Sequence, residues 1–323
     1  MSAPENIALR GKNAAQLPPA ILLLGPTASG KSALGLELAE TLGCEIISVD
    51  SAQIYRHMDI GTAKPDSHQR TRIRHHLIDI LDPHESYSAA RFRDDTLAIM
   101  REITERGKIP LLVGGTMLYF KALTEGLNDL PQADPTVRLV IDTMAEEKGW
   151  PALHQDLARA DPEAARRIKP NDAQRIQRAL EIFYITGKSM SALLEKPKYV
   201  YLPYRIIRFA LIPQERNWLH ERIAERFELM LELGLIGELR RLRRDYALEP
   251  TMPSMRSVGY RQVWRYLDGE IALATLREKA VAATRQLAKR QLTWLRSMHD
   301  VTPFDCGAED FCERLLTELR ARL

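Results

Sequence analysis

The sequence predicts an α/β protein: a parallel sheet of the phosphate-loop NTPase type, flanked by helices and interrupted by a mostly helical insertion. Three observations carry that expectation. Short aliphatic runs alternate with amphipathic stretches, a complete phosphate-binding loop separates the first run from the first helix, and aliphatic runs cease between about residues 130 and 203. In chain order, Ile21–Leu24 reads as a buried strand, Gly25–Ser32 as a loop, Ala33–Leu42 as a helix and Glu45–Val49 as a second strand, a βαβ opening. Ile109–Val113 and Ile206–Ile212 read as further strands, and their unbroken apolar character suits a parallel sheet covered on both faces.

Between those two strands, Pro131, Pro135, Pro151, Pro162, Pro170, Pro197 and Pro203 separate short helical stretches. The best of these is Asp172–Thr186. Asn171 or Asp172 can cap its start and Gly187 follows its end. Ile176, Ala179, Leu180, Phe183 and Tyr184 form one apolar stripe, while Gln174, Arg178 and Glu181 share another face. Leu276–Met298 reads as a long basic helix and Asp305–Leu323 has a helical pattern. The expected organisation is therefore a core from 20–130 and 204–300, a helical subdomain at 131–203, and terminal extensions at 1–19 and 301–323.

Composition bounds the function. The chain has 323 residues, 45% hydrophobic and 28% charged, which suits a soluble globular protein and excludes a disordered, collagenous or disulfide-stapled one. The run Ala20–Leu24 is far too short to span a membrane, and the first nineteen residues lack the apolar stretch of a signal peptide. Cys44, Cys306 and Cys312 have no paired zinc spacing, so a reduced, cytoplasmic protein without structural metal is expected. Net charge is only +3, yet nine Lys/Arg stand against three Asp/Glu between Arg256 and Arg296, with Tyr260, Trp264, Tyr266 and Trp294 interleaved. Such a mixture favours an anionic partner whose bases can stack, a nucleic acid.

The strongest motif is Gly25-Pro26-Thr27-Ala28-Ser29-Gly30-Lys31-Ser32, a full G-x-x-x-x-G-K-[ST] after a strand and before a helix. Its amides and the helix N-terminus suit a diphosphate, Lys31 adds a mobile ammonium, and the Ser32 hydroxyl can hold Mg²⁺. An NTPase also needs a carboxylate at the end of a second strand. Here Ile109–Val113 runs into Gly114-Gly115-Thr116 with no carboxylate, which weakens an ATPase reading and leaves another diphosphate open. Asp50, in Asp50-Ser51-Ala52-Gln53-Ile54-Tyr55, closes the second strand and should face the phosphate loop, where it can accept a proton from a nucleophile; read alone, Asp-Ser equally suits a helix cap or a turn. His75 and His76 are adjacent and cannot face one metal, so they read as structural.

These motifs occur in order with Asp59–Pro65, Gly114–Tyr119, Asn171–Arg178, Arg256–Arg261 and Ala283–Arg296. Together they resemble the bacterial tRNA dimethylallyltransferases, also called tRNA isopentenyltransferases, from Ile21 to Arg296. Arg74, where that pattern has Pro, is a departure without catalytic weight, and no zinc-finger extension is present. The resemblance implies transfer of a dimethylallyl group from dimethylallyl diphosphate to N6 of the adenosine 3′ of the tRNA anticodon. It implies Asp50 as base, Thr116 beside the reacting centre, and Arg216 on the diphosphate. It also implies tRNA contacts by Asp50, Ser51, Ala52, Gln53, Thr116, Arg138, Gln174, Arg175, Ile176, Gln177, Arg178, Arg256, Ser257, Val258, Gly259, Tyr260 and Arg261. Mg²⁺ is the expected cofactor, and a monomer without an obligate protein partner is expected. The extruded base and the prenyl diphosphate should meet in a passage lined at its middle by Asp50–Gln53. The alternatives are a phosphate-loop small-molecule kinase and an isopentenyltransferase acting on free adenylate.

Overall fold

The computed structural model describes residues 17–128, 130–195, 202–298 and 300–323. Residues 1–16 of the expected N-terminal extension, and Pro197, lie outside them. The chain divides into two compact units, one of Met1–Leu123 with Leu202–Leu323, the other Thr124–Tyr201.

The first unit is a six-stranded parallel sheet. Its strands are β1 (Pro19–Leu24), β2 (Cys44–Val49), β3 (His75–His76), β4 (Ile109–Gly114), β5 (Arg205–Leu211) and β6 (Thr302–Phe304), in the spatial order β3-β2-β4-β1-β5-β6. β1 is central and pairs with β4 through Leu23↔Val113 and with β5 through Leu23↔Phe209. Alternate β1 side chains enter opposite layers. Ala20, Leu22 and Leu24 pack under α3 (Ala89–Glu105) and α4 (Met117–Glu125), against Phe92, Met100, Met117 and Phe120. Ile21 and Leu23 pack under α1 (Lys31–Leu42) and α14 (Phe311–Arg322), against Leu34, Leu38, Leu315 and Leu319.

The strands read from sequence all form, within two residues of the expected bounds. β3 and β6 were not foreseen, because runs of two and three residues have no period to read. The 301–323 segment is no extension. It supplies the edge strand β6, which pairs with β5 through Leu211↔Phe304, and the helix α14, which packs Leu315 and Leu319 onto the sheet.

The second unit is helical: α5 (Pro135–Lys148), α6 (Trp150–Ala160), α7 (Pro162–Arg167), α8 (Ala173–Thr186) and α9 (Met190–Leu194). Its core gathers Ile141, Leu153, Leu157, Ile176, Ala179 and Leu180. Asp172 caps α8 by accepting the Arg175 N–H, and Gly187 ends it at φ 67°, a left-handed value that glycine adopts without strain. The first unit also holds the short α2 (Ser67–Arg72) and continues after β5 with α10 (Arg216–Glu232), α11 (Leu235–Asp245), α12 (Tyr260–Leu267) and α13 (Leu273–Arg296).

Candidate active site

The phosphate loop leaves β1 at Leu24 and enters α1 at Lys31. Ala28 and Gly30 take left-handed φ values of 64° and 87°, which curl the intervening backbone into a concave turn. Gly25 is required, since a Cβ there would lie 2.7 Å from Ser29 Oγ and 3.2 Å from Leu211 Cβ. The Ser29 hydroxyl is buried and has no hydrogen-bond partner among the described residues. Lys31 folds its ammonium back onto the Pro26 carbonyl at 3.0 Å. Burial pulls the Lys31 pKa down to about 8, with Arg226 pushing the same way and the Asp50 carboxylate opposing. Ser32 is exposed on the first turn of α1.

Two arginines one helical turn apart on α10 close over this loop. Arg222 Nε donates to the Ala28 carbonyl at 3.0 Å, and Arg226 Nη1 donates to Thr27 Oγ1 at 3.3 Å. Burial disfavours the Arg226 charge, and the Asp50 carboxylate again works against that cost. Arg216, the arginine singled out from the sequence, is the exposed first residue of α10, a turn and a half before Arg222. Only helix periodicity from the loop-facing Leu219 and Ile223 could have drawn attention to the later pair.

Asp50 follows β2 directly. Its Oδ1 accepts the N–H groups of Ala52, at 2.9 Å, and Gln53, at 3.4 Å, which fixes the carboxylate at the strand end. The turn after β4 braces it. Thr116 N donates to the Val49 carbonyl at 3.2 Å, and the Thr116 hydroxyl accepts the Ser51 N–H at 3.1 Å. Gly114 and Gly115 permit this approach. A Cβ on Gly114 would lie 2.0 Å from Val49 O, and one on Gly115 would lie 2.4 Å from Gln291 Nε2. Gln291, on α13, accepts the Thr27 N–H and donates to the Gly115 carbonyl, both at 2.9 Å.

The segment after Asp50 is wired inward. Gln53 Oε1 accepts from the Ser48 hydroxyl at 2.9 Å, and its amide nitrogen donates to the carbonyls of Thr62 and Ala63. The buried Lys64 ammonium donates to the Tyr55 carbonyl and to Asp59 and Asp79 carboxylates. Glu238 of α11 accepts three successive N–H groups, from Asp59, Ile60 and Gly61, and also the Tyr260 hydroxyl at 2.6 Å. His76 is structural, paired through Nε2 with the buried Glu45 at 2.7 Å. Among the described residues no group of three His, Cys, Asp or Glu side chains could hold a metal ion. An open surface depression of about 510 Å³ lies between β6 and α14, lined by Phe304, Arg314 and Glu318 and by no phosphate-loop residue.

Residues 53–298 match the IPP transferase family. This chain belongs to the IPP transferase family. Its motif-based resemblance therefore holds, and the match covers the Asp59 loop, the Gly114–Gly115 turn and α13 but begins after the phosphate loop. The chain is 61% identical over 302 residues to the tRNA dimethylallyltransferase of Nitrosospira multiformis, covering 94% of each chain. It is 57% identical to that of Nitrosomonas europaea, over 94% of this chain and 96% of the relative. Among solved structures it is similar to a full-length tRNA isopentenylpyrophosphate transferase from Bacillus halodurans (TM-score 0.67, 38% identity, 93% and 94% covered). It is also similar to a eukaryotic dimethylallyltransferase described acting on tRNA (TM-score 0.76, 28% identity, 93% and 77% covered). The fold is thus that of the IPP transferases, and the kinase alternative finds no support.

Of the residues that the family resemblance assigns to tRNA, the structure divides those that face solvent from those that build the protein. On α12 and the turn before it, Arg256 and Arg261 are exposed and Ser257 and Val258 half-buried. Gly259 is buried at φ 94° and donates its N–H to Gln262 Oε1, and Tyr260 is fully buried on Glu238. In the helical unit, Gln174 and Arg175 are exposed, Arg175 pairing with Asp172 at 3.0 Å, while Gln177 donates to Asp142 at 2.6 Å. Ile176 is fully buried. The side chains of Ile176 and Tyr260 therefore pack the interior and do not present themselves to a polymer. Arg138 and Arg178 both grip the fully buried Glu181, at 2.8 and 2.6 Å. Burial alone would raise the Glu181 pKa, but hydrogen bonds from these two arginines and from Asp134 N more than offset it, holding the carboxylate below its usual range. On α13, Ala288, Gln291 and Leu295 are buried, whereas Arg285, Lys289, Arg290 and Arg296 are exposed, with Trp294 38% exposed.

No helix among the described residues is long and apolar enough to cross a membrane.

Proposed function

We propose that this chain transfers the dimethylallyl group of dimethylallyl diphosphate to N6 of the adenosine 3′ of the anticodon in tRNA, releasing diphosphate. The observation that carries this reading is that the phosphate loop leaves β1 and Asp50 leaves β2 on either side of the turn after β4, which is fastened to both, by Gln291 to Thr27 and by Thr116 to Ser51. A proton acceptor and a set of anion-binding cations thus act on one site.

The chemistry balances on these groups. The allylic C–O bond breaks as the N6 lone pair forms the new C–N bond, and the electron pair leaves with the diphosphate. Loop amides, Lys31, Arg222 and Arg226 stabilise the charge that develops on that leaving group. N6 is a poor nucleophile because its lone pair is delocalised into the purine, so its proton must be taken up, and Asp50 takes it. Thr116 holds Ser51 and so keeps the carboxylate in place. No water is activated, which agrees with a β4 end that carries no carboxylate. The exposed Ser32 hydroxyl and the diphosphate oxygens form a donor set suited to Mg²⁺, which favours few protein ligands and substrate phosphates. When bound there, Mg²⁺ supplies further charge neutralisation of the leaving group.

A stacked base cannot reach a loop at the end of a central strand, so the adenosine is extruded from the anticodon loop into a passage that excludes water. The exposed Arg285, Lys289, Arg290 and Arg296 of α13, together with Arg256, Arg261, Gln174 and Arg175, contact the RNA. Arg138 and Arg178 join them at their exposed edges while anchored on Glu181. The enzyme acts as a cytoplasmic monomer. Incubating the protein with an anticodon stem-loop and either dimethylallyl diphosphate or ATP tests the reading. A mass gain of one prenyl group on the target adenosine, with the prenyl donor alone, supports it; ATP-dependent phosphorylation, or prenylation of free AMP in preference to RNA, overturns it.

A further inference from the structure

Gln291 is the point where three parts of the active site are fastened together. Its amide oxygen accepts the Thr27 N–H of the phosphate loop and its amide nitrogen donates to the carbonyl of Gly115, each at 2.9 Å. Thr27 is held from the other side as well, its hydroxyl accepting from Arg226. Gly115 directly precedes Thr116, whose hydroxyl accepts the Ser51 N–H next to Asp50. The side chain is buried at 9% exposure, and the backbone at 115 must lack a Cβ to admit it. A carboxamide of this length presents a donor and an acceptor on one planar group at that reach at every pH. Asparagine is one methylene short, and a carboxylate has no donor.

We propose that Gln291 is a positioning residue that sets the separation between the diphosphate cradle and the Asp50 carboxylate. It touches neither substrate. It acts through Thr27 on the loop that holds the leaving group, and through Gly115 and Thr116 on the turn that holds the base. The inference rests on the reading of Asp50 and the loop given above. It assigns to the buried face of α13 a role separate from that of the cationic face, where Lys289 and Arg290 stand two and one residues earlier.

Two variants test it in the full-length protein. Gln291→Met removes both hydrogen bonds and keeps the volume. Its kcat per folded molecule should fall roughly tenfold or more, the scale set by losing a buried polar pair, while tRNA affinity and its salt dependence stay as in the parent. Gln291→Glu restores the acceptor at all pH values and the donor only when protonated. The ratio of its kcat to the parent's should therefore rise as pH falls from 8 to 6, a signature that general loosening of the fold does not produce. A fall in melting temperature with unchanged kcat per folded molecule, or a loss confined to tRNA affinity, would overturn the proposal. Asp50→Ala measured alongside separates the two levels. If it too leaves turnover intact, the reading of the base is wrong; if it alone collapses turnover, only the role of Gln291 is.

Discussion

The Thr116 hydroxyl accepts the Ser51 N–H at 3.1 Å, which fastens the residue after Asp50 to the turn that closes β4. The carboxylate is thereby held at the strand end by groups on both sides of it, through its own contacts to Ala52 and Gln53 and through its neighbour. Replacing Asp50 by Ala should lower single-turnover prenylation of an anticodon stem-loop by roughly a hundredfold or more, the usual cost of losing a general base. Binding of the stem-loop should persist in a filter assay. Near-normal turnover would remove Asp50 from the chemistry.

Arg226 and Arg216 make a matched pair for mutation. Arg226 is half-buried and bonded to Thr27, whereas Arg216 is exposed at the start of α10. Arg226→Ala should raise the Kd for dimethylallyl diphosphate roughly tenfold to a hundredfold, as expected for a charge-assisted hydrogen bond, and Arg216→Ala should change it far less. Calorimetric titration with the diphosphate decides. Equal losses would restore Arg216 to the site and leave the α10 geometry without functional meaning.

Lys31 gives the site a pH limb. Its pKa in the free protein is lowered by burial to about 8, and a diphosphate binds the ammonium form. Affinity for dimethylallyl diphosphate should therefore be full below pH 8 and weaken as pH rises through it. Lys31→Arg stays protonated and should lose that limb, whatever its absolute affinity. Identical pH profiles for the two proteins would mean that Lys31 does not hold the anion.

Stability carries a separate signature at Glu45, which is 2% exposed. Burial would raise its pKa, but hydrogen bonds from Arg106 and His76 more than offset this and pull it down from 4.5 to about 2. The folded pKa is the lower one, so the stabilisation is complete above about 4.5 and disappears as pH falls towards 2. Glu45→Gln should cost about 1–3 kcal/mol at pH 7, measured by urea unfolding, and progressively less as both proteins are taken down to pH 2. Curves that stay separated at acid pH would show that the loss comes from packing rather than charge.

The exposed face of α13 makes a prediction in salt. Neutralising Arg285 and Lys289 together, as Arg285→Gln with Lys289→Gln, should weaken tRNA binding and flatten the slope of log K against log salt by roughly 0.7–0.9 for each phosphate that the variant no longer neutralises. An unchanged slope would place the RNA elsewhere. Dimethylallyl diphosphate affinity should not move in this variant.

The core strands and the phosphate loop were legible because each leaves a local mark: an unbroken aliphatic run, a glycine spacing, a helix that starts on cue. The same locality explains what was missed. Gln291 lies 264 residues from Thr27, and no window of sequence joins them. Arg222 and Arg226 look like ordinary solubilising residues until α10 is laid across the loop. Ile176 and Tyr260 sit in segments whose exposed arginines suggest RNA, yet a helix shows polymer and core on alternate faces, so a motif cannot hand one role to every residue in it. The β6–α14 segment escaped notice because three residues of edge strand carry too little pattern to be told from a loop.

The glycine at the end of β4 also constrains what the lineage could become. Any side chain at 114 would collide with the β2 backbone at Val49. The strand tip where nucleotide hydrolases mount an acidic residue is therefore closed by main-chain proximity, and no single codon change can install one without prising two strands apart. Commitment to carbon–nitrogen bond formation over phosphate hydrolysis is in this sense written into the spacing of the sheet itself.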